Sequence, residues 1–189
     1  MPTVLEVMWA VTGLLLTIGS TFLQPAILLP PLPGNAEGAL VQQVSATMQI
    51  GAVLITGCLG GKSAGLLAQV AYIFLGLSGF NVFYHGGGIG SLRSPVFGYL
   101  LGFIPGAWLC GYLAFLRPLS MKQITISCLF GLAAIHLVGI IYVLVLGIPN
   151  LTLIQQSVWH YSVQLLPGQL VVVCGTIVLA TLTRRLLFY

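Results

Sequence analysis

Two carboxylates, three histidines and four cysteines are the only carboxylate, imidazole and thiol groups that this sequence of 189 residues offers for acid–base or metal chemistry. Glu6 lies near the N-terminus and Glu37 in a proline-rich connection, so no carboxylate sits inside a long apolar run. That removes paired-carboxylate catalysis, carboxylate-oriented Ser–His hydrolysis and carboxylate–imidazole metal sites from the apolar segments. Cys58, Cys110, Cys128 and Cys174 are far apart, show no C-x-x-C spacing and each lies in or beside an apolar run. They read as buried reduced thiols, with no metal or cofactor expected. Neither a G-x-x-x-x-G-K-[ST] phosphate loop nor a G-x-S-x-G elbow is present. His136 falls in the middle of an apolar run with no carboxylate to orient it, so a neutral imidazole bonded to a helix neighbour is expected rather than a proton relay.

What the residues do offer is binding chemistry. Gln49, Tyr99 and Gln169 are polar groups within or at the mouth of apolar runs, where an unpaired amide or hydroxyl is costly. His85 and Gly86-Gly87-Gly88 precede Arg93, and Ser94-Pro95 then reads as an N-cap followed by proline at the first helical position. Backbone N–H groups of this loop, the positive end of the following helix and the Arg93 guanidinium can converge on an anion, a carboxylate being the smallest that fits. Two plainer readings stand beside it: the glycines permit a tight path across a membrane face, and Arg93 reaches lipid phosphate. Each Gln can likewise satisfy a backbone carbonyl of a neighbouring helix. His85 and His160 are further candidate donors or lid contacts.

The elements that must carry these groups are membrane helices. Only six Lys or Arg and two Asp or Glu occur, 58% of residues are apolar and mean hydropathy is +1.09, which no water-facing domain surface allows. Apolar runs at about 4–23, 39–59, 64–80, 95–116, 122–147 and 167–187 predict six spans in one transmembrane domain over 1–189, since about 20 residues cross the hydrocarbon core. The first lacks a basic n-region and an A-x-A-like end, and is expected to remain in the mature chain. Prolines 25, 30, 31 and 33 force an extended or turning path in the first connection. The connection from about 148 to 166 is long and predicts a lid or interfacial helix.

Charge orients the bundle. With an inside N-terminus, Lys62, Arg117, Lys122, Arg184 and Arg185 face the cytoplasm and Arg93 alone faces out, so both termini are expected inside. Gln42, Gln43, Gln49, Tyr99 and Gln169 then gather at the outer ends of the second, fourth and sixth spans, beneath the glycine loop. The basic residues form no dense patch with interleaved aromatics, so nucleic acid is not an expected partner.

Several motifs together resemble the BioY family, the biotin-binding S components of energy-coupling-factor (ECF) vitamin transporters. They are Thr47-Met48-Gln49, Gly57-x-x-Gly60-Gly61-Lys62-x-x-Gly65, Gly79-Phe80-Asn81-Val82-Phe83, the glycine loop, Pro95-x-x-Gly98-Tyr99-Leu100-Leu101-Gly102-Phe103 and Pro167-Gly168. The resemblance implies an S-component-like six-helix bundle in a plasma membrane, with biotin bound at the outer side by Gln49, His85, Gly86, Gly87, Gly88, Arg93, Tyr99 and Gln169. It implies a transport role without enzymatic activity, docking on a membrane coupling subunit driven by separate ATP-binding subunits, and a possible homo-oligomer. Many members carry Asp after Pro-Gly and Lys three residues later; here Gln169 and Val172 stand there, and Arg93 is the expected substitute cation. On the first span, Gly13 and Thr17 give the small-x-x-x-small docking spacing without the usual Ala pair. An S component for another vitamin, an intramembrane hydrolase and a structural membrane subunit are the alternatives.

Overall fold

The computed structural model describes residues 2–29, 40–43, 47–84, 86–147 and 150–187. Helix α1 (Val4–Thr21) opens with a capping box: Thr3 Oγ1 accepts from the Glu6 N–H, and the Glu6 carboxylate accepts from the Thr3 N–H at 2.8 Å. One of the two carboxylates is thereby spent on a helix terminus. The proline-rich connection begins as strand β1 (Ala26–Leu29), paired antiparallel with β2 (Leu40–Gln43) in the register Ala26 to Gln43 and Leu29 to Leu40. Helix α2 (Gln49–Leu77), a short 3-10 helix (Ile89–Arg93), α3 (Pro95–Leu116) and α4 (Met121–Gly147) follow. The chain ends in α5 (Leu151–Val158), a π-helical turn (Trp159–Gln164) and α6 (Leu166–Leu187).

Five helical stretches among the described residues are long and apolar enough to cross a membrane: α1, α2, α3, α4 and the run Leu151–Leu187. The expected spans at 95–116 and 122–147 coincide with α3 and α4 to within a residue. The run expected at 39–59 does not form one helix. Leu40–Gln43 belong to a strand, and helix begins only at Gln49. The connection at 148–166, expected to be a lid or interfacial helix, is helical from Leu151, and the π-helical turn joins α5 to α6.

Where second and third spans were expected, the chain forms one helix, α2, which is interrupted to give two arms. Gly61, at φ 82° and ψ −178°, breaks the helix. The Gln49 amide nitrogen lies 2.7 Å from the Tyr72 hydroxyl, whereas 23 residues of straight helix would separate them by about 35 Å. The arms therefore run antiparallel. Only glycine enters this left-handed region at little cost.

Packing follows the small residues. A Cβ on Gly57 would lie 2.6 Å from the Ala107 carbonyl oxygen, and one on Gly111 would lie 2.6 Å from the Lys62 nitrogen, so α3 rests directly on the first arm and on the turn of α2. Val53, Leu54, Tyr72, Phe97, Ile124, Ile135 and Val173 fill the space between α2, α3, α4 and α6. At the same end as the Gly61 turn, the buried Arg184 donates to the Ala114 carbonyl at 2.8 Å and stacks 4.1 Å from the Phe115 ring centroid. Cys58, Cys110 and Cys128 are buried as expected, but Cys174 is exposed on α6.

Gly57→Ala is expected to lower the thermal unfolding midpoint in detergent by several degrees, because a methyl pressed on a backbone carbonyl costs about 1–3 kcal/mol. Gly19→Ala, whose methyl meets nothing within 4 Å, is expected to leave the midpoint unchanged or raise it.

Candidate functional site

A cavity of about 310 Å³ lies beneath the glycine loop, and its wall includes Gln49, Gly86 and Gly87. The loop is held from behind. The Gly88 N–H donates to the Gly76 carbonyl at 2.7 Å and the Gly86 N–H to the Phe83 carbonyl at 3.0 Å, with φ of 91° at Gly86 and 98° at Gly88. Phe83, Phe97, Val96 and Leu100 supply apolar wall. Phe83 sits edge-on to Tyr72 at 5.3 Å and to Phe97 at 6.2 Å between centroids, so the wall is a fixed aromatic array.

Polar groups enter this wall at two places. Gln49 is buried, and its Nε2 donates to the Tyr72 hydroxyl, which donates onward to the Val82 carbonyl at 3.1 Å. That commitment leaves Gln49 Oε1 to accept from a ligand. Ser91 and Ser94 line the cavity beside the first turn of α3. Ser94 occupies the expected N-cap position before Pro95, but its side chain makes no capping bond. Pro95 has no N–H, and the Ser94 and Phe97 N–H groups donate to the Ser91 and Ser94 carbonyls at 3.0 Å, so the Ser94 hydroxyl and the Val96 N–H are the groups suited to an anion.

A second polar group forms a chain between helices. The Tyr99 hydroxyl is 2.6 Å from Ser162 Oγ, Ser162 Oγ is 3.2 Å from His136 Nδ1, and His136 Nε2 is 2.7 Å from Gln169 Oε1. Gln169 Oε1 only accepts, so Nε2 carries the imidazole proton, Nδ1 accepts from Ser162, and Ser162 accepts from Tyr99. His136 thus finds its partners on the last helical run rather than on its own helix. Gly51, two residues beyond Gln49, packs against Val172, three residues beyond Gln169. Gln49 and Gln169 therefore sit at the same level of the bundle.

Ser162 and His136 form a Ser–His contact, yet its setting opposes nucleophilic catalysis. The orienting group is an amide that cannot compensate an imidazolium, Tyr99 occupies the serine oxygen, and both residues are buried away from the cavity wall.

Of the expected site residues, Gln49, Gly86 and Gly87 meet at the cavity. Gly88 anchors the loop behind it. Tyr99 and Gln169 join each other through Ser162 and His136. Arg93 is exposed at the end of the 3-10 helix, outside the cavity wall, and His85 lies outside the described residues. Ser91, Ser94, Phe83 and Phe97 had no sequence signal as wall residues beyond their place around the loop. His160 bonds Gln164 within its own exposed turn.

A model of the BioY family matches residues 5–188. A protein of Lysinibacillus sphaericus described as a probable biotin transporter BioY is 35% identical over 132 residues, covering 67% of this chain and 66% of that protein. The biotin transporter BioY of Thermotoga maritima is 37% identical over 95 residues, covering 50% of this chain and 56% of its own length. The matched stretch thus spans just under two thirds of the first relative and a little over half of the second. A 21.2 kDa protein of Cyanophora paradoxa is 27% identical over 188 residues, 96% of this chain and 95% of that one. Among solved structures, the crystal structure of the S-component for biotin from an ECF-type ABC transporter superposes with a TM-score of 0.68 at 22% identity, covering 95% of this chain and 90% of that chain. The bundle therefore has the S-component fold.

Tyr72→Phe removes the hydroxyl that holds Gln49 and leaves an amide and a carbonyl without their bond. It is expected to destabilise the protein by about 1–3 kcal/mol, read as a lower unfolding midpoint, with ligand affinity falling at the same time.

Proposed function

From the premise that this chain belongs to the BioY family, we propose that it is the membrane-embedded biotin-capturing component of an ECF-type uptake system. It is a transport subunit rather than an enzyme. The observation that carries the reading is the cavity under the glycine loop, with an amide acceptor at one place, hydroxyls and a helix N-terminus at another, and aromatic wall between. Biotin has the matching parts: ureido N–H groups, an apolar bicycle and chain, and a terminal carboxylate. The volume falls at the low end of the about 300–1,000 Å³ typical of small-molecule sites.

In this reading Gln49 Oε1 accepts from a ureido N–H. Gln169 lies level with Gln49 but outside the cavity wall. Its Nε2, left over once Oε1 is bonded to His136, is assigned to the ureido carbonyl of a ligand that reaches beyond that wall, and Tyr99 positions it through Ser162. The carboxylate lies against Ser91, Ser94 and the first turn of α3. Gly86 and Gly87 close the cavity and Gly88 fixes their path. Arg93, one residue from Ser94 but exposed, acts at the rim by drawing the anion in. His85 belongs to the same loop and is assigned a contact there. No metal or cofactor takes part, and biotin is the ligand carried.

The two arms of α2 count as separate crossings, which gives six in a plasma membrane. Lys62, Arg117, Lys122, Arg184 and Arg185 mark the cytoplasmic end by the positive-inside rule, and both termini lie there. With no phosphate loop in the sequence, uphill transport draws on separate ATP-binding subunits through a membrane coupling subunit. The Gly13–Thr17 spacing expected to receive it is instead buried against α2, with Gly13 on Thr56 and Thr17 bonded by Gln69. The surface assigned to it is therefore the exposed apolar flank of α1 formed by Leu5, Met8, Val11 and Leu15, and a homo-oligomer is a further assembly compatible with an exposed apolar surface.

Equilibrium binding of radiolabelled biotin to the protein in lipid nanodiscs tests the function. Saturable binding to one site, not displaced by other vitamins, is expected; preference for another vitamin, or no binding, overturns it. Gln49→Ala is expected to weaken biotin about 10-fold, the worth of one buried hydrogen bond. Arg93→Ala is expected to slow association a few-fold at low salt while leaving dissociation unchanged, with the difference fading at 0.5 M salt. A dissociation rate raised by Arg93→Ala would instead place the guanidinium in direct contact with the ligand.

A further inference from the structure

Cys58 on the first arm of α2, Cys110 on α3 and Cys128 on α4 are separated by 52 and 18 residues in sequence, yet their sulfurs converge. Cys58 Sγ lies 3.4 Å from Cys110 Sγ and 3.7 Å from Cys128 Sγ, and all three lie within 4.8 Å of one another. Each side chain is fully buried. The cluster sits toward the end of the bundle that holds the Gly61 turn, away from the glycine-loop cavity.

We propose that these three cysteines form a site for a soft monovalent metal ion, with Cu(I) the biological occupant. At a metal–sulfur distance of about 2.3 Å, three sulfurs at 120° lie about 4.0 Å apart, so the observed triangle needs only small side-chain shifts to close on an ion. The donor set chooses the metal. Among the described residues no histidine or carboxylate joins the group, so a fourth ligand for tetrahedral zinc is missing, whereas thiolates in a three-fold array suit Cu(I).

Charge can also be offset in part. Arg184 lies within electrostatic reach of Cys58 and is buried, with its Nε left without a partner. Its Nη1 bonds Ala114, one turn beyond Cys110. Cu(I) entering on three thiolates displaces three protons and forms a unit of charge −2, half of which the guanidinium offsets. The ion would tie α2, α3 and α4 together at a point where the helices otherwise meet through weak thiol contacts.

The test adds tetrakis(acetonitrile)copper(I) to the detergent-purified, reduced full chain under anaerobic conditions, against a chromophoric Cu(I) chelator. One copper per chain is expected, with X-ray absorption reporting three sulfurs at about 2.3 Å. C58A, C110A and C128A should each weaken copper retention at least 10-fold, and C174A should not change it. Should a variant fail to fold, the parent chain gives the same answer: maleimide blocks the exposed Cys174 and leaves the three buried thiols, and the blocked chain should still retain one Ag(I). Substoichiometric copper, dependence on Cys174, a two-sulfur shell, or tighter Zn(II) than Cu(I) binding would each overturn the assignment.

Discussion

The reversal of α2 at Gly61 connects the two ends of the molecule. It turns a 29-residue helix into two arms and brings Gln49 back to Tyr72. From that bond the Val82 carbonyl is held, and with it the start of the loop that roofs the cavity. At the other end the turn exposes a backbone surface on which Gly111 can rest. Helix α3 is thereby seated along its length, with its inner part against the turn and its first turn under the glycine loop. A side chain at position 61 would strain the turn by roughly 1–2 kcal/mol. The greater consequence would lie about 20 Å away, where Gln49 and Tyr72 would lose their register.

A bilayer supplies no water to satisfy polar groups, and the chain handles this in two ways. Most hydroxyls are spent within their own helix: Thr17 on Gly13, Thr56 on Ala52, Ser127 on Gln123, Thr176 on Val172 and Thr181 on Ile177. These bonds say nothing about which helix lies alongside. The informative bonds are fewer and run between helices: Gln49 to Tyr72, Gln69 to Thr17, the chain from Tyr99 to Gln169, and Arg184 to Ala114. They fix register where apolar packing alone would tolerate sliding, and two of them sit beside or level with the cavity.

Periodicity and composition made α1, α3 and α4 legible, because each is an apolar run bounded by clear polar or proline signals. The same reasoning misplaced the start of α2. Leu40-Val41-Gln42-Gln43 is too short to distinguish a strand from the first turn of a helix, and the pairing with Ala26–Leu29 that decides it is a tertiary contact. The length of the stretch before Leu166 predicts a lid or interfacial helix, but nothing in its residue types shows that Ser162 turns inward to Tyr99 and His136. Gln49 and the glycine loop stood out as polar or glycine-rich islands in apolar surroundings. Phe83 and Phe97 did not, since an aromatic residue in a cavity wall looks the same in sequence as one in a core. Nor could spacing reveal that Cys58, Cys110 and Cys128 share a point, because helix neighbours are set by the packing of small residues.

Gln169 and Val172 stand where the resemblance leads one to expect Asp and Lys, and under the proposed function this changes how the ligand is held. Both residues are buried, so restoring ions there would carry a desolvation cost that amide and alkyl groups avoid. A carboxylate at the first turn of α3 instead trades its hydration for hydroxyls and N–H dipoles, an exchange worth about 0.3–2 kcal/mol. Such a grip on the tail is weak beside a buried ion pair. In the proposed complex selectivity then rests on the rigid end of the ligand, for which Gln49 in the cavity wall and Gln169 at its level each have one amide group committed to the protein and one left over. An amide tethered in this way presents its remaining group in a single orientation, and that is how a neutral site can read a ureido ring while keeping a loose hold on the charge.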